Sequence, residues 1–456
     1  MEKTELLVIG GGSAGMKAAR TAAAMGRKVT LCEERGLGGE CFWGGCVPAK
    51  AMVRAAEVWN TVRNAAGFGI HAPVRKKSFA GAMEYRDRVV REVGGDGSDD
   101  GGLSKAGVKY LRGHAEMCDS HVVQINSELV HADRILIATG TLPVTPPIPG
   151  LENVGCLTNR EAVLLNELPK SLVIIGGGPV GLEFAQVFRR FGAEVTIVEM
   201  ASRILPQEDG QISELAVGFL REEGIHIFTD SKVIEVSKYR NRKRLKIVSG
   251  DTETYLSAHE ILIAAGRSAA IGNLGLEAAG VEFNERVVRV DDMLRTTAPH
   301  IYAAGDVCGG YLFTHVASFE GELAARNAFS ENPEEYNPRV VPRATYIDPE
   351  VASIGITLAT AQWEGIDAVE SVAYFSHVDR AILYGAPRGI VKIVSVRGTG
   401  EILGAHMVGH SASSLLPEVA LAMQNHLPLS AIAHTMHAYP TFSEAVEAAA
   451  LGNTGH

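Results

Sequence analysis

Hydrophobic positions along the chain gather into short apolar runs, each followed by a Gly-rich turn or an Ala-rich stretch. Residues 6–33 read LLVIGGGSAGMKAARTAAAMGRKVTLCE, and residues 172–199 read LVIIGGGPVGLEFAQVFRRFGAEVTIVE, an offset of 166 with no gap. Each copy predicts an apolar strand, a tight turn, an Ala-rich helix, a second strand and a terminal Glu. Two further apolar runs, RILIATG (134–140) and EILIAAG (260–266), read as the strands that return the chain from each unit. The segment TAPHIYAAGD (297–306) predicts a turn, a short strand and Asp306 at its carboxyl end. That Asp either accepts a hydrogen bond from a polyol or caps the helix that begins near Phe319 or earlier. From about Val341 the texture changes to alternating strands (GIVKIVSV, GEILGAHMVG) and then helices, a separate α+β domain.

The repeated turn carries chemistry. Its first Gly (Gly10, Gly176) makes the tight turn and the second (Gly12, Gly178) lets the backbone approach a pyrophosphate. The third (Gly15, Gly181) allows close packing of helix on strand, with the phosphates at the helix N-terminus. The acid about twenty residues on, Glu33 or Glu199, accepts hydrogen bonds from a ribose diol. Two complete copies predict two dinucleotide sites. A carboxylate at 199 suits a free 2′-hydroxyl and repels a 2′-phosphate, which favours NADH over NADPH; Arg203 and Arg189 lie near enough in sequence to oppose that preference.

Composition narrows the class. The 456 residues allow two to four domains, and 46% hydrophobic, 21% charged and 50 Gly exclude a disordered, collagenous or coiled-coil protein. Forty-three Lys+Arg against 53 Asp+Glu leave a net charge of −10, so nucleic acid is not an expected partner. No apolar stretch has the roughly eighteen residues of a membrane helix, and MEKTELLVIGGG resembles neither a signal nor a transit peptide, so the expected location is cytoplasmic. The Pro-rich TLPVTPPIPG (141–150) reads as a stiff linker at a domain boundary. GGDGSDDGG (94–102) separates the helical pattern of residues 49–93 from Val108 and reads as an exposed turn.

Cys41 and Cys46 stand in GLGGECFWGGCVPAKAM. Pro48 is tolerated in a first turn, so a helix is expected to start near Cys46, where its dipole stabilises a thiolate. Lys50, at i+4, adds a positive charge to the same face, and Gly44 and Gly45 leave room for the sulfurs to meet. The pair reads as a redox couple; the alternatives are half of a zinc site, for which no second CxxC or clustered His offers ligands, and ordinary core packing. No metal is expected. Cys32, Cys118, Cys156 and Cys308 read as buried small hydrophobes.

With GGGSAG, GGECFWGGCVPAK, ILIATG, GGGPVGLE, IYAAGDV, FTHVA and HAYPTFSEA together, the sequence resembles the FAD-dependent pyridine nucleotide–disulfide oxidoreductases, the family of dihydrolipoamide dehydrogenase, glutathione reductase and mercuric reductase. The resemblance covers essentially the whole chain. It implies an α/β fold with two Rossmann-like dinucleotide-binding domains and a C-terminal α+β dimerisation domain. The expected segments are an FAD domain (1–148 and 269–340), an NAD domain inserted at 149–268, and a dimerisation domain at 341–456. It implies FAD contacts at Gly10, Gly12, Ser13, Ala14, Gly15, Glu33, Gly39, Glu40, Cys41, Lys50, His114, Ala115, Ala138, Thr139, Gly140, Gly305, Asp306, Phe313, Thr314, His315 and Ala317. NAD contacts are implied at Gly176, Gly178, Pro179, Val180, Gly181, Glu199, Ala265 and Gly266. Cys41 resembles the interchange thiol, Cys46 the thiol against the flavin, and Lys50 and Glu183 the ion pair near flavin and nicotinamide. The implied activity is a relay from NADH through FAD to the Cys41–Cys46 disulfide and on to a small-molecule acceptor, in a homodimer.

The pattern breaks in three places. Disulfide-reducing members carry a His before the Pro of the C-terminal motif, with a Glu five residues later, and this pair completes the other subunit's site. Here Tyr439 precedes Pro440, while Glu444 is in place. Tyr ionises near 10 and is a poor base at neutral pH. Either His437 substitutes, as a true dihydrolipoyl dehydrogenase would require, or the acceptor is a metal ion or quinone that needs no such base. Mercuric reductases lack the His too, but end in a vicinal Cys pair that ALGNTGH does not contain. Phe42 and Trp43 stand where relatives carry smaller or polar residues; Trp43 either packs or shapes an apolar acceptor pocket. Gly266-Arg267-Ser268 lacks the Pro-Asn usual after that Arg. Outside enzymology, the reading is a flavin-binding redox sensor.

Overall fold

The computed structural model describes residues 1–71, 77–94 and 100–452. They form two compact units, Met1–Ala51 with Glu84–Val144 and Gly266–Asn337, and Met52–Met83 with Thr145–Ala265 and Pro338–His456. Residues 52–83 thus group with the second unit, not with the rest of the segment 1–148.

The first unit is built on a sheet with parallel strands in the order Val108–Arg112, Val29–Glu33, Glu2–Ile9 and Glu128–Ile137, and Ile301–Ala303 also pairs with the last of these. Val122–Ile125 and Ala115–Met117 continue it antiparallel. The run LLVI is apolar throughout because both of its faces are covered. Leu6 and Val8 pack with the helices Ser13–Ala24 and Thr314–Asn327, and Leu7 and Ile9 with Met117, Val123 and Leu276 on the opposite face. The two helices touch closely: a Cβ on Gly321 would stand 2.2 Å from the Ala14 carbonyl oxygen.

The second unit repeats the plan with parallel strands His226–Phe228, Glu194–Val198, Ser171–Ile175 and Glu260–Ile263 and the helix Pro179–Phe191. A meander over residues 232–258 packs its apolar side against this sheet through Val233, Val236, Leu245 and Ile247. The remainder is a five-stranded antiparallel sheet, from Arg343–Thr345 to Ile402–Gly409, covered by the helices Ala412–Gln424, Leu429–Ala433 and Glu444–Ala450.

Several expectations are corrected. The helical pattern of residues 49–93 is two helices, Cys46–Asn64 and Phe79–Gly94; the first runs into a 3-10 turn that ends at Gly69, with φ +75°. The linker 141–150 begins as a strand, Thr141–Pro143, paired antiparallel with Arg267–Ala269, so the outgoing and returning chains are stitched together. Asp306 is not the cap of the following helix, whose N-cap is Phe313. Cys118 is exposed at a turn, and Cys156 and Cys308 are only partly covered as residues. Most of the expected turn at 94–102 (residues 95–99) lies outside the described residues.

Candidate active site

Gly38 and Gly39, at φ +94° and +59°, turn the chain after Val29–Glu33 into a short helix, Gly39–Trp43, that carries Cys41. This left-handed backbone is one that Gly reaches without strain. Gly44 ends the helix by donating to the Glu40 carbonyl at 3.0 Å, and the next helix begins at Cys46 with Pro48 in its first turn. The two thiols are hydrogen-bonded to each other. Cys46 Sγ also lies 3.3 Å from Thr314 Oγ1, the first residue of its helix. The Cys41 thiol is held far above its ordinary value, first by the hydrogen bond to Cys46 and then by burial, while Thr314 and the Lys50 charge act against this. The helix N-terminus favours negative charge on Cys46. Trp43 is 42% exposed; its Nε1 donates to the Leu37 carbonyl at 2.9 Å, which fixes the ring beside Gly36. Phe42 lies against Gly38 and Gly94.

The two Gly-rich turns are superposable in their constraints. A Cβ on Gly10 would stand 2.3 Å from the Ala138 carbonyl and one on Gly15 1.8 Å from the Gly10 carbonyl; the equivalents are 2.2 Å from Ala264 for Gly176 and 2.2 Å from Gly176 for Gly181. Gly178 faces open space and Gly12 meets only the Gly39 Cα, at 4.0 Å; both cap their helices without a side-chain hydrogen bond, which leaves the first-turn N–H groups to a ligand. Ser13 and Ala14 continue the first helix; Pro179 and Val180 begin the second, the latter 41% exposed. Glu33 Oε2 accepts from Gly11 N at 2.7 Å, and Glu199 Oε2 from Gly177 N at 2.6 Å, so each acid braces the turn it serves.

These residues fit a bound dinucleotide. Beside the first turn, the buried Thr139 Oγ1 has no hydrogen-bond partner in the protein, and Gly140 (φ +69°) has nothing within 4 Å of a Cβ position. Asp306 has its carboxyl raised by burial, partly offset by Arg267 and by the Thr141 hydroxyl that donates to it at 3.2 Å. Ala138 and Ala317 are buried nearby, Ala317 packing where a Cβ on Gly305 would be. Phe313 and His315 stack at 5.5 Å on either side of Thr314. Ala115 is in the core, and both ring nitrogens of His114 are engaged, with Glu34 and the Asn273 carbonyl, each at 3.0 Å. Ala265 and Gly266 are exposed just beyond the strand Glu260–Ile263. In the second unit, the buried Glu183 accepts from Tyr346 N at 3.0 Å. Sequence reasoning missed Arg267. Its guanidinium donates to Thr141 Oγ1 and carbonyl at 2.7 and 2.9 Å and lies 3.8 Å from Glu40, tying the redox segment to the Asp306 group.

In the C-terminal segment, Tyr439 is 72% exposed and its hydroxyl donates to Asp379 Oδ2 at 2.7 Å. That hydrogen bond, and then the Asp379 charge, raise its ionisation further. Glu444 accepts from Thr441 N at 2.8 Å. The His437 side chain is 5% exposed, 2.8 Å from Glu418 and 3.6 Å from Glu447. Among the described residues, no group of three or more His, Cys, Asp or Glu is arranged to hold a metal ion.

The family model described as pyridine nucleotide-disulphide oxidoreductase matches residues 4–321, and that of its dimerisation domain matches residues 341–450. The chain belongs to this family. It is a flavoprotein disulfide oxidoreductase, and the family implies FAD and NAD(P)H as cofactors. It is 36% identical to the dihydrolipoyl dehydrogenase of Chlorobaculum tepidum over 98% of this chain and 96% of the relative. It is 33% identical to a mercuric reductase of Bacillus cereus, over 98% of this chain and 71% of the relative. Among solved structures, a Cu(II) complex of the HOCl-induced flavoprotein disulfide reductase RclA from Escherichia coli matches with a TM-score of 0.86 at 29% identity, covering 99% of both chains. LpdA from Mycobacterium tuberculosis matches with a TM-score of 0.90 at 26% identity, also covering 99% of both. The dimerisation domain points to a homodimer, and no helix among the described residues is long and apolar enough to cross a membrane.

Proposed function

We propose that the chain is an NADH-dependent reductase whose Cys41–Cys46 pair delivers two electrons to metal ions. One observation carries this choice of acceptor. At the position where dithiol-reducing relatives have a His, the Tyr439 hydroxyl is committed to Asp379 and is made still harder to ionise. His437 is no substitute, since its ring is buried between Glu418 and Glu447. Exchange with a second dithiol needs a positioned acid/base, worth about 10²–10⁴ in rate. Reduction of a metal ion does not: the Cys41 thiol and the Cys46 thiolate become one disulfide, two Cu(II) become two Cu(I), and one proton leaves to water. The Cu(II) complexes described for RclA support the same class of acceptor.

The first Gly-rich turn, Glu33, Thr139 and Asp306 would hold FAD, and the second turn with Glu199 would hold NADH. Bound flavin supplies two-electron exchange with reduced nicotinamide and with the thiols. Cys46, at its helix N-terminus with Lys50 one turn on, keeps the charge of the reduced pair, while Cys41 keeps the proton and meets the acceptor. NADH is preferred because both candidate 2′-phosphate partners are engaged: Arg203 with the carbonyls of Pro206 and Glu208, Arg189 with those of Glu223 and Ala193. The Tyr439–Glu444 segment would complete the site of a second copy.

A second reading is dihydrolipoyl dehydrogenase, favoured by Glu444 in its expected place and by the relatives that bear that name. NADH oxidation with Cu(II), a soluble quinone and lipoamide, compared between wild type and Cys41→Ser, separates the readings. Cu(II) reduction that is fast and lost in Cys41→Ser is the expected result. Lipoamide as the best acceptor would overturn it.

A further inference from the structure

The backbone that presents Asp306 is unusual. Gly305 has φ +81° and ψ −160°, a conformation that other residues reach only with strain. A Cβ there would stand 3.1 Å from Ala14 Cβ and 3.2 Å from Ala317 Cβ, so the turn is wedged between the starts of the helices Ser13–Ala24 and Thr314–Asn327. Its N–H donates not to a strand but to Glu320 Oε2, at 2.8 Å. Glu320 is 5% exposed. Its neighbour Gly321 packs against the Ala14 backbone too tightly for its helix to slide, so the carboxylate is delivered at a fixed height.

Among the described residues, the titratable groups that act on Glu320 are Asp306 and Cys308 in the turn and Tyr336 beyond the helix, none of them a cation. A buried carboxylate without a cation is costly, and the core would accept an apolar side chain here at no such cost. Nothing in the redox chemistry above employs it.

We propose that Glu320 is a positioning residue for the flavin: by holding the Gly305 N–H it fixes the turn from which Asp306 binds the cofactor. This rests on the assignment of Asp306 to FAD. Burial raises the Glu320 carboxyl to about 7, so near neutral pH the clamp is shared between its two protonation states.

The test compares wild type, Glu320→Gln, Glu320→Leu and Glu320→Asp. Two quantities are read: the dissociation constant of FAD from apoprotein, by quenching of flavin fluorescence, and hydrogen exchange at the Gly305 amide in apoprotein. Gln keeps an acceptor in place, Leu fills the space without one, and Asp keeps the charge but withdraws the acceptor. Glu320→Gln is expected to bind FAD within about threefold of wild type, and Leu and Asp about tenfold or more weakly, with faster Gly305 exchange. FAD bound as tightly by Asp or Leu as by wild type, or as weakly by Gln as by Leu, overturns the proposal. Should Leu fail to fold, the Asp and Gln comparison decides alone. Wild-type apoprotein that takes up no FAD removes the flavin assignment itself, and the proposal with it.

Discussion

Tyr439 gives its hydroxyl hydrogen to Asp379 across 2.7 Å, so the residue we propose to stand in place of the family's catalytic His is itself tied down. Restoring the base should restore the lost chemistry. In Tyr439→His, lipoamide reduction is expected to rise by about 10²-fold or more, with Cu(II) reduction within about twofold of wild type. Tyr439→Phe should leave both rates unchanged. Steady-state rates with the two acceptors check this, and a lipoamide rate that falls in Tyr439→Phe would count against it.

The two Gly-rich turns should fail independently. In Gly15→Ala a Cβ meets the Gly10 carbonyl at 1.8 Å, and in Gly181→Ala it meets the Gly176 carbonyl at 2.2 Å. The first variant is expected to purify with little flavin. The second should keep a full complement of flavin but show a raised KM for NADH. Flavin absorbance per chain and NADH saturation curves distinguish them; loss of flavin in Gly181→Ala would contradict the division of labour.

Both turns were legible in the sequence because their constraint is local: a Gly five residues from another, with a strand before and an acid after, leaves few other folds. The start of the redox helix at Cys46 was legible for the same reason, through Pro48. Arg267 and Glu320 were not. Their meaning lies in contacts with Thr141, Glu40 and Gly305, which are up to 227 positions away in the chain (Arg267 to Glu40) and leave no periodic mark. Cys118 was misread because a hydrophobic residue type says little about a turn position. The fate of His437 depends on Glu418, nineteen residues earlier on the helix Ala412–Gln424, and no spacing within HAYPTFSEA reveals it.

Acid and alkali should act on Glu320 in a definite sense. Its carboxyl is raised from 4.5 to about 7 in the folded protein, chiefly by burial. The folded state therefore holds more protons between these values, and the contribution is present below about 4.5 and lost as pH rises through about 7, in all about 3 kcal/mol. Relative to wild-type apoprotein, Glu320→Gln should gain stability as pH rises from 5 to 8. Parallel melting curves across that range would contradict the buried, raised carboxyl.

Lys392 is 6% exposed, with its ammonium 2.9 Å from Asp209 and 3.0 Å from Glu370. Asp209 also caps the helix Gly210–Glu222. Lys392→Met leaves two covered carboxylates without their cation and is expected to cost about 3–5 kcal/mol in denaturant unfolding. Burial alone would raise the Asp209 carboxyl, but the hydrogen bond and charge of Lys392 outweigh it and hold it below its ordinary value. That stabilisation is present above the ordinary carboxylate range and lost as pH falls through the lowered value, so the gap between variant and wild type should narrow in acid. A gap that widens in acid would refute this.

Cys41 and Cys46 are expected to carry the reducing equivalents that NADH brings in. Counting thiols tests this most directly. Oxidised enzyme is divided, one half is reduced anaerobically with NADH, and both are denatured, alkylated and mapped by mass. The expected result is two additional alkylated cysteines in the reduced half, at Cys41 and Cys46, with the other four unchanged. An alkylation pattern that NADH does not alter would contradict the account.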